Sequence, residues 1–276
     1  NGQKCYRIIS RPDILLSSEI FRDLHTKYIG KNILYFPKIT STNSIAKENL
    51  KNKTKKNLFP EGTVFIAEVQ TKGRGRLGRD WYSPSGGIWL TILLFPCLEP
   101  IYISKVTLMT AVALVRSIKA LFGISVHIKW PNDILFGNKK IAGILTETAA
   151  QSGHVVYLLV GIGINANTQK EDFPEDTRKQ LISLQEILGK RISRIQLVQR
   201  LLENFEEYYD RLQKRQFGSI LEEWKENTDI LGKEITVQSA GKIISGKAVN
   251  ITSEGALLIR KYNGELACVS SGTIQR

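Results

Sequence analysis

Apolar and polar residues alternate in two textures along the 276-residue chain, and the texture changes near residue 230. Before that point, strand-like runs interleave with runs of helical period. Residues 1–10, NGQKCYRIIS, read as a short strand leaving a Gly-containing turn, and Leu16, Ile20 and Leu24 then repeat at helical spacing. ILYFPK (33–38) is strand-like, whereas STNSIAKENL (41–50) opens with capping residues and predicts a helix. Residues 63–70 and 88–95 are β-branched and apolar, as strands are. Residues 103–121 predict a long helix with few charges, which Gly123 is placed to stop. Four strands follow at 126–130, 134–136, 141–148 and 155–162, joined by short Gly/Asn turns that favour antiparallel neighbours. Helices return at 178–188, 194–215 and 219–226. Beyond residue 230, EITVQS, ISGKAVNI, ALLIRK and LACVSS are short strands separated by AGK, TSEG and YNGE, the pattern of a small barrel.

Composition narrows the class. Hydrophobic content of 42% and charged content of 24% describe an ordinary globular chain. The longest apolar stretches, 88–98 and 155–164, are too short to span a bilayer, and the first residues lack a signal-peptide core, so no membrane partner is expected. Cys5, Cys97 and Cys268 are isolated and odd in number, which argues against a disulfide framework and fits a reducing cytoplasm. His25, His127 and His154 share no ligand spacing with them, so spacing predicts no metal site. The net charge of +13 points to a polyanionic partner. The lysines of KNKTKK (51–56) read instead as a solvated run, because no aromatics are interleaved.

GRGRLGR (73–79) contains a Gly-x-Gly-x-x-Gly match in Gly73, Gly75 and Gly78. A dinucleotide fingerprint needs its third glycine to open a helix, yet RDWYSPSGG follows and leads straight to the next strand. Neither is there a Gly-Lys-Ser/Thr ending of a phosphate loop. What remains is a flexible backbone carrying Arg74, Arg76 and Arg79, whose forked donors suit phosphate and carboxylate oxygens. The alternative is a solvated basic turn.

Two further stretches carry chemistry. KWPNDILFGNKKIAGIL (129–145) places Asn132 and Asp133 at a strand end and Lys140 at the start of the returning strand, so a carboxylate and an amine can face one site. In LLVGIGINAN (158–167), Gly161 and Gly163 precede Asn165; the missing side chains admit either a ligand or tight strand packing.

Together GRGRLGRDWYSPSGG, KWPND with KKIAGIL, VGIGIN and Ser41-Thr42-Asn43 resemble the biotin protein ligases, in that family's order and over nearly the whole chain. The resemblance implies an α+β catalytic domain with a mixed β-sheet, related to class II aminoacyl-tRNA synthetases, followed by a Src-homology-3-like β-barrel. The expected boundaries are 1–26 for a linker and the remnant of a winged-helix domain, 27–229 for the catalytic domain and 230–276 for the barrel. A ragged leader is the other reading of the first residues. The implied reaction joins biotin to ATP, with Mg2+, as biotinyl-5′-AMP, then passes biotin to a lysine of a biotin carboxyl carrier protein. Ser41, Thr42, Asn43, Gln70, Gly73, Arg74, Gly75, Arg76, Lys140, Gly143 and Gly161 are implied around biotin. Arg74, Arg76, Arg79, Trp81, Asn132, Lys140 and Asn165 are implied near the nucleotide. Lys140, Arg76 and Asp133 are the implied catalytic residues, with Asp133 either a base or a positioner. Leu77 departs from the pattern, where a further basic residue can occur. The resemblance also implies a homodimer and, through a preceding domain, DNA binding as a biotin-responsive repressor. Two rivals are a lipoate ligase, which shares the fold, and a non-enzymatic nucleic-acid-binding module.

Overall fold

The computed structural model describes residues 12–51 and 59–275. The strand expected at 1–10, Cys5 and most of the 51–56 lysine run lie outside the described residues. After α1 (Ser17–Arg22) come β1 (Ile33–Phe36), α2 (Thr42–Lys51), β2 (Val64–Ala67), β3 (Ile88–Leu94) and α3 (Ile103–Phe122). The four expected strands are β4 (His127–Lys129), β5 (Asp133–Phe136), β6 (Lys139–Gln151) and β7 (His154–Ile164). Helices α4 (Glu175–Arg178), α5 (Leu184–Leu188), α6 (Arg194–Gln213) and α7 (Phe217–Glu226) complete the larger part. Its sheet runs β1-β2-β3-β7-β6-β5-β4, with β1–β2 parallel and the other pairs antiparallel. A mixed α+β sheet is the expected class.

The alternation within β3 explains the layering. Leu90, Ile92 and Leu94 join the large core under α3, α6 and α7, while Leu93 packs with Phe65, Leu159, Ala46 and Leu50 beneath α2. With both faces covered, β3 is buried along its whole length. Among the described residues, the apolar element of membrane-crossing length is α3 rather than residues 88–98 or 155–164. An apolar 18-residue stretch of Pro100–Phe122 is long enough to cross a bilayer, but 67% of that stretch is buried inside the fold, as for a core helix. Gly123 ends α3 in the left-handed region at φ 68°.

β8 (Glu234–Ser239), β9 (Lys242–Ile251), β10 (Leu257–Arg260), β11 (Leu266–Val269) and β12 (Thr273–Gln275) form an antiparallel sheet ordered β11-β10-β9-β8-β12, the Src-homology-3-like part. The short β12 escaped the sequence pattern. It exists because it returns onto β8 in register, a long-range pairing that three residues cannot announce.

The helix expected at 178–188 is broken. Residues between α4 and α5 instead bond to Lys140: its N–H donates to the Gln180 carbonyl (2.7 Å) and its carbonyl accepts from Ile182 N–H (3.1 Å). Pairing with the start of β6 outweighs local helix propensity there.

Candidate functional site

The register of the sheet builds a depression on the α2 face. Gly143 of β6 is opposite Gly163 of β7, and Leu145 is opposite Gly161; β3 adds Thr91 opposite Gly161. Where side chains would stand, α2 and the glycine–arginine segment come down instead. A Cβ at Gly161 would lie 2.5 Å from Asn43 Oδ1, and one at Gly163 would lie 2.5 Å from Trp81 Nε1. Both glycines are therefore required by close approach.

The segment 70–83 is a folded-back strap rather than a helix-opening loop. Gln70 N–H donates to the Ser83 carbonyl, Trp81 N–H to the Gly73 carbonyl and Gly75 N–H to the Arg79 carbonyl. Leu77, at the tip, has φ 58° and is 75% exposed. No phosphate-binding helix follows Gly78, in line with the rejection of a dinucleotide fold.

Between the strap, α2 and the sheet lies a cleft. Ser41, Thr42, Asn43, Gln70, Arg74, Gly75, Arg76, Trp81, Asn132, Lys140, Gly143 and Gly161 line it. Four expected residues stand elsewhere. Gly73 and Arg79 border an adjoining cavity lined by the strap with Leu145 and Glu147 of β6. Asp133 reaches the cleft only through Lys140, with 2.7 Å between its carboxylate and the ammonium. That contact is a close ion pair whose angles do not make a hydrogen bond, since Asp133 Oδ1 has no hydrogen-bond partner. Asn165 is 1% exposed and sits behind the wall, donating to the Lys140 carbonyl at 3.3 Å.

The two ends of the cleft differ in chemistry. One end is neutral and hydrogen-bonding. Thr42 N–H and hydroxyl both donate to Gln70 Oε1 (2.8 and 3.1 Å), and Gln70 Nε2 donates to Ser83 Oγ (2.8 Å). Asn43 Nδ2 donates to Glu147 Oε2 at 2.8 Å, and the buried Thr91 hydroxyl lies against Asn43 Oδ1 and Thr42 Oγ1. Nothing in the local sequence marks Ser83 or Glu147 as part of this network. The one available signal was Thr91, a single hydroxyl inside the apolar run IWLTILLF.

The other end is cationic. Lys140 Nζ lies 4.7 Å from the centroid of the Trp81 ring. Arg76 donates to Asn132 Oδ1 (3.0 Å) and to the Gly272 carbonyl of the C-terminal sheet (3.1 Å), while Asn132 Nδ2 donates to the Ile144 carbonyl (2.8 Å). Burial lowers the proton affinity of Arg76 below its ordinary range, with nearby Arg79 adding to that and Asp133 opposing it. A guanidinium remains charged throughout the neutral range. Desolvated cations at fixed positions suit an anion that forms during a reaction. Among the described residues no group of three or more His, Cys, Asp or Glu could hold a metal ion.

The chain matches the Biotin/lipoate A/B protein ligase family over residues 35–165 and the Biotin protein ligase C terminal domain over 230–276. The bifunctional ligase/repressor BirA of Bacillus spizizenii is 38% identical over 95% of this chain and 79% of its own length. A biotin–[acetyl-CoA-carboxylase] ligase of Paracoccus denitrificans is 29% identical over 71% of this chain and 82% of its own. Among solved structures, the Aquifex aeolicus biotin protein ligase in complex with biotin and ATP is 29% identical, with a TM-score of 0.75 over 89% of this chain and 99% of that one.

Proposed function

This chain belongs to the biotin protein ligase family, and from that premise we propose how its residues divide an ATP-dependent ligation of biotin to a protein lysine. The observation that carries the assignment is the polarity of the cleft: neutral donors and acceptors at Thr42, Asn43 and Gln70, cations at Lys140 and Arg76, and a glycine floor between. Biotin has the same sequence of parts, a neutral ureido ring, an apolar chain and a carboxylate.

In the first step a carboxylate oxygen of biotin attacks the α-phosphorus of ATP. A carboxylate–phosphorus bond forms, the α–β phosphoanhydride bond breaks, and pyrophosphate leaves. Both reactants are anions, so Lys140 and Arg76 hold them in reach and offset charge gathering on the α-phosphate. Arg74, Arg79, Trp81 and Asn132 are assigned to the nucleotide side. Asn165, which stands behind the cleft wall, is assigned instead to bracing the start of β6 through its bond to the Lys140 carbonyl. In the second step a neutral lysine amine of the acceptor attacks the acyl carbon of biotinyl-5′-AMP; the acyl–phosphate bond breaks, AMP leaves, and the amide nitrogen gives up one proton to solvent. We assign Asp133 to positioning the Lys140 ammonium, given the ion pair between them. The strap of Gly73–Arg76 closes over the adenylate and keeps water from it.

Mg2+ belongs to this reading only as the ion that ATP brings, since magnesium is commonly held by phosphates and water with one or two carboxylates. Residues 27–229 carry the chemistry in this assignment, and 230–276 cover it through Gly272 and Thr273. The acceptor is a biotin carboxyl carrier domain, supported by the naming of the Paracoccus relative for acetyl-CoA carboxylase. The reaction is assigned to the cytoplasm. The name of the bifunctional relative supports extending the reading to repression; a homodimer facing a two-fold operator is the arrangement we propose for it.

Exchange of labelled pyrophosphate into ATP, measured with biotin and in parallel with lipoate, tests the assignment. Exchange with biotin alone is expected, because the polar ureido ring of biotin can share hydrogen bonds with the Thr42–Asn43–Gln70 network, whereas the dithiolane of lipoate offers it neither donor nor strong acceptor. Absence of biotin-dependent exchange from folded protein overturns it. Sedimentation with and without biotinyl-5′-AMP checks the dimer.

A further inference from the structure

Arg194, the first residue of α6, is 3% exposed and lies outside the cleft, yet it grips three separate segments. Its NH1 donates to Glu68 Oε2 (2.7 Å) and to the Gly87 carbonyl (2.9 Å). Its Nε donates to Asp13 Oδ2 (2.8 Å), and its NH2 to the Asp13 carbonyl. Glu68 stands just before the glycine–arginine strap and Gly87 just after it. One guanidinium nitrogen therefore joins the two ends of the strap.

A second set of bonds repeats the connection. Glu68 Oε1 accepts from Leu15 N–H (2.8 Å), and Asp13 Oδ2 accepts from Asn167 Nδ2 (3.1 Å). Asn167 N–H in turn donates to the Gly86 carbonyl (2.8 Å). The segment leading into α1 is thus tied to the entry of the strap through Glu68 and to its exit through Asn167. Arg191 faces the same Asp13 carboxylate at 3.9 Å. Burial works against the Arg194 charge, but Glu68 and Asp13 more than offset it and hold the guanidinium above its ordinary range.

Stability alone is a poor reason for such a cluster, because well-packed apolar residues replace buried ion networks with little loss and often a gain. Geometry supplies a better one. A lid moves about its stems, and stems that drift apart enlarge the set of open states it samples. Fixing residues 68 and 87 with the five-donor fork of an arginine confines the motion to the strap between them.

We propose that Arg194 is a positioning residue that staples the base of the glycine–arginine strap to the Asp13–Leu15 segment, and so sets how long the strap stays closed over the adenylate. The retention part rests on the function proposed above, whereas the stapling part concerns the ligand-free protein.

The test compares the parent with Glu68→Gln, Asp13→Asn and Arg194→Lys. Hydrogen exchange is followed at residues 71–82 without ligand, and loss of preformed biotinyl-5′-AMP is followed in single turnover. Each variant is expected to speed exchange in the strap about tenfold, the size of one charged hydrogen bond, with β3 and α6 unchanged. Adenylate escape is expected to rise by a similar factor while its formation stays near the parental rate. Arg194→Lys keeps the charge but its compact ammonium cannot span the four acceptor atoms that the planar fork reaches, so it is expected to fail as a rescue. Parental exchange in the strap for all three variants overturns the proposal. So does acceleration spread equally over β3 and α6, which marks a merely structural role. If the parent forms no adenylate, the proposed function fails and the ligand-free measurement still decides the staple.

Discussion

Gly143 and Gly163 are directly opposed in the β6–β7 ladder, and the Trp81 ring rests on both. A Cβ at 163 would come within 2.5 Å of the indole nitrogen, while one at 143 would meet side-chain atoms at 3.0 Å or more. Gly163→Ala is therefore expected to displace Trp81 and raise the KM for ATP about ten- to a hundredfold, the usual cost of overpacking. Gly143→Ala is expected to do less, because the Lys140 chain can yield. Steady-state kinetics with thermal melting as a control checks this, and a parental KM for Gly163→Ala contradicts the platform.

Lys140 stands between Asp133 and the Trp81 ring, with its backbone held by Gln180 and Ile182. Lys140→Ala removes a preorganised cation at the reacting centre and is expected to slow adenylate formation about 10²–10³-fold. Asp133→Asn leaves the ammonium in place but unanchored, so a smaller loss is expected. Rapid-quench measurement of biotinyl-5′-AMP separates them. A rate for Lys140→Ala within a few fold of the parent removes it from the mechanism.

Arg76 bridges Asn132 and the Gly272 carbonyl from one nitrogen, linking the strap to the C-terminal sheet. Arg76→Lys preserves charge without the planar fork, so it is expected to form adenylate but release it about tenfold faster. Trapping of released intermediate by hydrolysis provides the readout. Retention equal to the parent's would show that charge alone suffices.

Three tyrosines give a pH dependence. Burial, followed by a hydrogen bond to Glu223, raises Tyr208 from its ordinary 10.0 to about 12. Tyr28 and Tyr209 are raised further by burial together with Asp210 and Glu61. A phenol whose folded proton affinity exceeds the unfolded one adds stability that is complete below pH 10 and lost as pH climbs through 12. The urea midpoint is expected to fall across that interval, and Tyr208→Phe is expected to soften the fall. An alkaline transition identical in Tyr208→Phe excludes its contribution.

Much of this protein was legible along the chain. β-Branched and apolar runs marked the strands, Gly123 marked the end of α3, and the glycine–arginine spacing marked a loop with no helix behind it. These signals survive in one dimension because turn chemistry and face alternation act over a few residues. Other features depend on partners far apart in sequence. Asn43 is oriented by Glu147, 104 residues away, and Arg194 reaches Glu68 across 126. The break at 178–188, the strand β12 and the withdrawal of Asn165 behind Lys140 are of the same kind. A residue's neighbours across a sheet are set by topology and register, so its local sequence carries no record of them.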